Sequence, residues 1–286
     1  MKICHLHKVM GLMVLLSLTS CAKDDHYNTP HPDRGAVRIT TDWTGRSSDA
    51  TVPSSYILRI GTQEQTVSGE TNAFDALFLP GEQHLLVYHR AEGITISGET
   101  ATVNTRADGT LEPLPGLLFS AEQTLAIVAD DTLQVSVKME QRVRTLTLTL
   151  KLTPGDDERI ASTSATLTGI ASAIRLTDGT ITATEGKITV PAFVPGMDRR
   201  PVLAATLRLM GVMTGEEQVL TLAVTLTNGV VQTITTDLTE YLKNFGTGTD
   251  MEPLTLDATL QLPAEAGFTG TISDWNVVDN GQIEIH

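Results

Sequence analysis

Strict alternation of apolar and polar residues marks residues 143–152, whose sequence is VRTLTLTLKL. Leu146, Leu148, Leu150 and Leu152 occupy every second position, and threonines and a lysine stand between them. A period of two places all four leucines on one face of a strand, whereas a helix would spread them around its circumference. The pattern predicts a half-buried antiparallel strand.

Shorter runs of the same kind, separated by turn residues, recur along most of the chain. Asn228-Gly229 joins two of them and accepts the positive backbone angles of a type I′ hairpin turn, and Asp178-Gly179 predicts a second hairpin turn. Further strands are predicted at residues 36–43, 55–60, 84–89, 125–128, 133–137, 165–170, 187–190, 202–213, 218–227, 230–236, 254–262 and 282–286.

One segment, residues 238–245, has helical spacing instead. Asp237 and Glu240 have the spacing of a capping box, and Gly246 stands where a helix ends on a glycine. The apolar residues recur at i, i+3, i+4 and i+7, so the helix is predicted to lie on a sheet with this face in the core. That face comprises Leu238, Tyr241, Leu242 and Phe245.

Many short strands and a single short helix indicate an all-β protein built from β-sandwiches. One sandwich of about 100 residues would hold roughly half of these strands. We therefore predict an N-terminal β-sandwich domain at residues 35–139 and a C-terminal one at residues 140–286, with the helix in the second.

The N-terminus has the features of a signal peptide, predicted at residues 1–20. Lys2 and Lys8 form a basic region, and the apolar run that follows is too short to remain as a membrane anchor. The run ends in Leu-Thr-Ser-Cys, which resembles a bacterial lipobox cut by signal peptidase II between Ser20 and Cys21. The resemblance implies that Cys21 carries a diacylglyceryl thioether and an N-acyl chain.

Cysteine content fits this interpretation. The chain has two cysteines, and removal of Cys4 with the signal peptide leaves Cys21 without a disulfide partner. The alternatives are an ordinary signal peptide with an incidental cysteine and a Cys4–Cys21 disulfide.

A polar tether follows at residues 21–34. Pro30 and Pro32 favour an extended path for it. Lys23, Asp24 and Asp25 resemble the tag that directs lipoproteins of some diderm bacteria to the outer surface, and the alternative is a solvated charged linker.

Composition excludes one class of partner. The 286 residues carry a net charge of −14, which becomes −16 when the two lysines of the signal peptide are removed. Such a surface repels phosphate backbones, so nucleic-acid binding is not expected.

Catalytic chemistry is not predicted either, because the sequence lacks the nucleophile-elbow, zincin and phosphate-loop motifs. His84 and His89 lie five positions apart, so on one strand they face opposite sides and make poor co-ligands. His26 and His31 lie in the tether without a third ligand nearby. We expect no enzyme activity, no cofactor and no metal site.

Glycan binding is the main alternative function. Sugar platforms usually need exposed aromatic residues, and aromatics make up only 4% of this chain. Trp43 and Trp275, the two tryptophans, follow aspartates at strand ends and are interpreted as sandwich core or edge packing.

The chain as a whole resembles the fimbrillin-A-associated anchor protein family, in which lipoproteins fix fimbriae to the outer membrane. The similarity is one of pattern over most of the length. The matching segments are LTSC at 18–21, AVRITTDW at 36–43, FLPGEQHLLVYHR at 78–90, RVRTLTLTLKL at 142–152 and SATLTGIAS at 164–172.

The resemblance implies two transthyretin-like β-sandwiches in tandem and a structural role in fimbriae and cell adhesion. It implies fimbrial subunits as partners, joined by β-strand complementation, and a lipid anchor in the outer membrane facing the exterior. Polymerising subunits lose their first strand to an arginine-specific protease, whereas an anchor keeps it; Arg46 lies where such a cut would fall. The alternative is a surface glycan-binding lipoprotein without catalytic activity.

Overall fold

The computed structural model describes residues 33–248, 250–263 and 268–278. The predicted signal peptide, Ser20, Cys21, the tag at residues 23–25 and the predicted strand at 282–286 lie outside these ranges. The described chain is all-β, with one short α-helix and one 3₁₀ turn.

Ten strands form the N-terminal half. A three-stranded sheet has the order β4-β1-β9, and a five-stranded sheet has the order β10-β8-β5-β2-β3. The strands are β1 (Ala36–Asp42), β2 (Tyr56–Ile60), β3 (Gln63–Val67), β4 (Thr71–Ala73), β5 (Gly81–Tyr88), β6 (Ile94–Ser97), β7 (Thr100–Val103), β8 (Phe119–Ile127), β9 (Thr132–Lys138) and β10 (Glu140–Gln141).

The C-terminal half contains a five-stranded sheet, β15-β16-β11-β19-β20, and a four-stranded sheet, β14-β12-β17-β18. A small third sheet, β13-β7-β6, takes strands from both halves. The elements are β11 (Arg144–Leu152), the 3₁₀ turn (Asp157–Arg159), β12 (Ile160–Ile170), β13 (Ala173–Arg175), β14 (Lys187–Thr189), β15 (Val194–Asp198), β16 (Arg200–Leu209), β17 (Val219–Leu226), β18 (Val231–Asp237), α1 (Thr239–Leu242), β19 (Leu254–Gln261) and β20 (Thr271–Val278).

Two hydrophobic cores lie on opposite faces of the sheet that contains β2, β5 and β8. Leu58 and Leu85 belong to the N-terminal core, whereas Ile57 and Leu86, their neighbours in sequence, belong to the C-terminal core. Burial of both faces at β2 and at the end of β5 explains their unbroken apolar runs, because alternation requires one solvated face. The domain boundary between residues 139 and 140 stays a prediction.

The strand predicted from alternating leucines is confirmed as β11, and its four leucines are at most 1% exposed. Its pairing differs from the prediction in one respect. It is antiparallel to β16, with Leu148 opposite Ala205, but parallel to β19, with Leu148 opposite Leu256. The prediction of a purely antiparallel strand was wrong because alternation records which face is buried, not the direction of the neighbours.

The helix is shorter than predicted, since α1 has four residues and begins after Leu238 rather than Asp237. The Asp237 carboxylate accepts hydrogen bonds from the backbone N–H of Thr239 (2.8 Å) and from its hydroxyl, and makes no capping box with Glu240. Leu238, Leu242 and Phe245 are buried as predicted. Tyr241 is 39% exposed, so its assignment to the core was wrong.

The Asn228-Gly229 hairpin is confirmed, but its turn is not type I′. Gly229 has a φ of +82°, whereas Asn228 is not among the residues with positive φ. The Gly229 N–H donates to the Leu226 carbonyl, and the Asn228 side chain accepts from the N–H of Val230. This longer loop needs only one left-handed residue, which the glycine supplies.

We expect Leu148→Ala to lower the free energy of unfolding by about 2–5 kcal/mol, because it leaves a cavity between two sheets. Met197→Ala is the matched control, since Met197 is 73% exposed and the change should stay within about 0.5 kcal/mol. Urea denaturation followed by circular dichroism measures both. Equal losses for the two variants would contradict this position of the core.

Candidate functional site

The predicted lipidation, cleavage and tag residues all lie outside the described ranges, whereas Arg46, the possible protease site, lies in the loop that follows β1. The first strand and this loop are therefore the candidate functional site. The relevant questions are whether β1 occupies its own sheet and whether the bond after Arg46 is open to a protease.

β1 is the central strand of its sheet. It pairs in antiparallel orientation with β4 and in parallel with β9, where Ile39 stands opposite Val135. Val37 and Ile39 are 1% and 0% exposed, so their side chains fill the N-terminal core. The groove that a missing first strand would leave open is thus occupied by the chain itself.

Trp43 closes this core at the end of β1. Its ring packs edge-on against Tyr56 at 5.6 Å and Phe119 at 5.5 Å between centroids. Its indole N–H donates a hydrogen bond of 2.9 Å to the Thr41 hydroxyl. The tryptophan is core packing, as predicted, and presents no exposed ring to a sugar.

Residues immediately after Arg46 are hydrogen-bonded to residues far away along the chain. The backbone N–H of Ser47, which is 3% exposed, donates to the side-chain oxygen of Gln141 at 3.0 Å. The N–H and hydroxyl of Ser48 donate to the Glu252 carboxylate, at 3.1 and 2.6 Å. We call these contacts, together with the hydrogen bonds of the Asp49 carboxylate described next, the loop latch.

Asp49 completes the loop latch. Its carboxylate accepts hydrogen bonds from the hydroxyls of Ser47 and Thr145, both at 2.6 Å. A protease needs several residues around the scissile bond to leave their own hydrogen bonds and extend. The Arg46 side chain is exposed, but the bond that follows it leads into a buried residue.

Sequence reasoning missed Gln141 and Glu252, which lie in neither a motif nor an alternating run. No local signal identifies them, because their partners are far away along the chain. The Gln141 amide also donates to the Val143 carbonyl at 2.8 Å, which fixes the orientation of its oxygen toward Ser47.

The two predicted strand histidines do face opposite sides. His84 is exposed and lies 3.1 Å from the Glu122 carboxylate on the neighbouring strand. His89 is buried, and burial lowers the pKa of its imidazole below the usual value, while its ring nitrogen accepts the Phe119 N–H. The described residues contain no cluster of three or more histidine, cysteine, aspartate or glutamate side chains that could bind a metal ion.

A cleft of about 360 Å³ lies beside the loop latch. His89, Arg90 and Arg208 contribute to its wall, and no tryptophan, tyrosine or phenylalanine does. A sugar there would find hydrogen-bonding groups but no stacking surface. In the described ranges, no helix has the length and apolar character needed to cross a bilayer.

The fold defines a class, that of all-β proteins with two sandwich-like halves in tandem. The profile of the fimbrillin-A associated anchor proteins Mfa1 and Mfa2 matches residues 25–281. The chain therefore belongs to this family of fimbrial anchor proteins, which is fimbria-associated and found at the bacterial cell surface.

Solved structures share the fold at low sequence identity. The fimbrial anchor protein Mfa2 from Porphyromonas gingivalis is 8% identical, with a TM-score of 0.57 over 85% of this chain and 97% of the other. A candidate adhesin from Bacteroides ovatus is 10% identical, with a TM-score of 0.58 over 86% and 93%. A candidate polysaccharide-binding protein from Bacteroides thetaiotaomicron is 9% identical, with a TM-score of 0.53 over 86% and 98%. No curated protein matches the sequence.

We expect Gln141→Ala combined with Glu252→Ala to accelerate cleavage after Arg46 by an arginine-specific protease at least tenfold. The double variant leaves the buried Ser47 N–H without its acceptor, at a cost of about 1–3 kcal/mol to the closed loop. Mass spectrometry of the fragment that begins at Ser47 measures the rate. Glu240→Ala combined with Glu122→Ala is the control, and an equal acceleration there would contradict a protective role for the loop latch.

Proposed function

We propose that the chain is an outer-membrane lipoprotein that acts as a structural anchor of cell-surface fimbriae and is not an enzyme. Family membership supports the fimbrial role, and the sequence Leu-Thr-Ser-Cys supports processing between Ser20 and Cys21 with lipidation of Cys21. We further propose that Lys23, Asp24 and Asp25 direct the protein to the exterior face.

The observation that carries the proposal is the position of β1. An anchor stops chain growth at the cell, so it must keep its own first strand. Removing β1 would expose the side chains of Val37 and Ile39 at a cost of about 25 cal/mol for each Å² of apolar surface. It would also leave the facing edges of β4 and β9 without hydrogen-bond partners.

Strand complementation would join the fimbrial subunits to this anchor. It requires a sheet edge with unpaired backbone groups that a strand of another chain can extend. The edge strand β20 supports this step, since it has eight residues and no proline, and Val277 in it is 58% exposed. At the opposite edge of the same sheet, β15 contains Pro195, which lacks a donor.

Glycan binding without catalysis is the second candidate function. The polar cleft beside the loop latch is the one observation that favours it, since hydroxyl-rich ligands need such groups. The lack of an aromatic side chain in the wall places it below the anchor. Tight binding of the uncut monomer to a glycan array would reverse this order.

Cys21→Ala should release the protein from the membrane into the soluble fraction, because the variant lacks the thiol that carries the diacylglyceryl group. Stable attachment needs several acyl chains, since one alone binds only marginally. Fractionation with metabolic palmitate labelling measures this, and Cys4→Ala is the matched control. A Cys21→Ala protein still extracted only by detergent would contradict lipid anchoring.

Protein isolated from cells should begin at lipidated Cys21, remain uncut after Arg34 and Arg46, and form no ladder of self-polymers. It should also co-purify with a fimbrial subunit. Intact-mass analysis and denaturing gels without boiling measure these properties. An N-terminus at Ser47 accompanied by high-mass polymers would make the chain a polymerising subunit instead.

A further inference from the structure

Three large aliphatic side chains are exposed near the start of the described chain, and we call them the tether-proximal patch. Leu77, Leu79 and Val128 are 46%, 54% and 60% exposed. Each adjoins a buried residue in sequence, Phe78 for the leucines and Ile127 for the valine. Alternation along the extended chain turns the buried neighbours inward and the patch outward.

Gly35 places these residues together. Its N–H and carbonyl both pair with Phe78, at 2.9 Å each, so Leu77 and Leu79 flank it on one side. Val128 is also adjacent, because a β-carbon added to Gly35 would lie 2.3 Å from the Val128 carbonyl oxygen. The patch therefore surrounds the point at which the chain passes from the tether into β1.

Twelve residues, 21–32, connect the patch region to the proposed lipid on Cys21. Fully extended, they reach about 40 Å, and as a flexible chain they average about 20 Å. A linker of that length holds the patch at a millimolar effective concentration near the bilayer surface. At that effective concentration, even weak insertion of a few side chains into the bilayer is enough to keep the patch bound to its surface.

We propose that the tether-proximal patch rests in the headgroup region of the membrane that holds Cys21, as a second contact beside the lipid. The inference rests on the proposed lipidation. Exposed apolar clusters mark interaction sites, and this one lies where the nearest available apolar phase is the bilayer. The contact fixes how the N-terminal half stands on the membrane.

Charge around the patch selects the kind of lipid surface. Asp33 and Asp131 are exposed next to it, and Arg34 is a neighbouring cation. The Arg34 guanidinium donates to the Leu77 carbonyl at 3.4 Å, and the Arg34 carbonyl accepts from the Asp130 N–H. With acidic groups in excess, the patch should prefer a zwitterionic surface over an anionic one.

The test uses the full mature chain, residues 21–286, coupled through its single thiol at Cys21 to a maleimide lipid in phosphatidylcholine vesicles. Chemical coupling attaches a lipid to Cys21 even if cells do not lipidate this residue. A negative result here therefore speaks against the patch contact, whereas a negative result of the Cys21→Ala experiment speaks against lipidation. Leu79→Trp reports on the patch and Met197→Trp on an exposed site in the second half. The native tryptophans are 5% and 8% exposed and give a constant background.

Brominated phosphatidylcholine should quench the Leu79→Trp probe at least twofold more than the Met197→Trp probe. Adding Leu77→Ser and Val128→Thr should remove the excess, whereas Val194→Thr and Val231→Thr, at equally exposed valines, should keep it. Vesicles that contain anionic phosphatidylglycerol should reduce the excess quenching of the Leu79→Trp probe.

Equal quenching of the two probes would overturn the proposal. So would a blue-shifted Leu79→Trp emission without vesicles, because a second copy of the chain would then cover the patch.

Discussion

The structure depends on pairing the first strand of each half with a strand near the end of the same half. In the N-terminal half, Ala36 of β1 lies opposite Thr132 of β9, and in the C-terminal half, Leu146 of β11 lies opposite Leu254 of β19. Both pairings are parallel, and in both the first strand also has an antiparallel neighbour on its other edge. Neither half has a complete core without its first strand, because the leucines, valines and isoleucines of that strand are the buried ones.

Because of this pairing, β1 also connects the tether mechanically to the rest of the fold. Its start adjoins the tether through Gly35, and its end leads through Trp43 into the loop latch, which contacts Gln141 of β10 and Glu252 of the second half. Pulling on the proposed lipid at Cys21 would load β1 along its length, against hydrogen bonds on both of its edges. For the proposed anchor, a retained first strand thus serves attachment directly, and cutting after Arg46 would separate the proposed lipid from the rest of the fold.

The two halves also share buried surface. The sheet that carries β2 and β5 contributes Leu58 to one core and Ile57 to the other. Ser120, also in this sheet, donates to the Leu176 carbonyl at 2.5 Å and accepts from Arg142 at 2.8 Å. Changes in one half should therefore affect the other, which suits the proposed role as a structural anchor.

The sequence by itself determined the all-β class, the burial of alternate leucines in β11, the hairpin at Asn228-Gly229 and the opposite faces of His84 and His89. Each of these follows from the local period or a turn residue, which a short window contains. Only the tertiary structure decided the parallel neighbours of β1 and β11, the exposure of Tyr241 and the contacts of Gln141. Edge strands such as β15, exposed at every residue, also carry no alternation to predict them. The physical reason is that a strand's partners, and the acceptor of a loop's hydrogen bonds, come from residues about 100 positions away, where no local pattern records them.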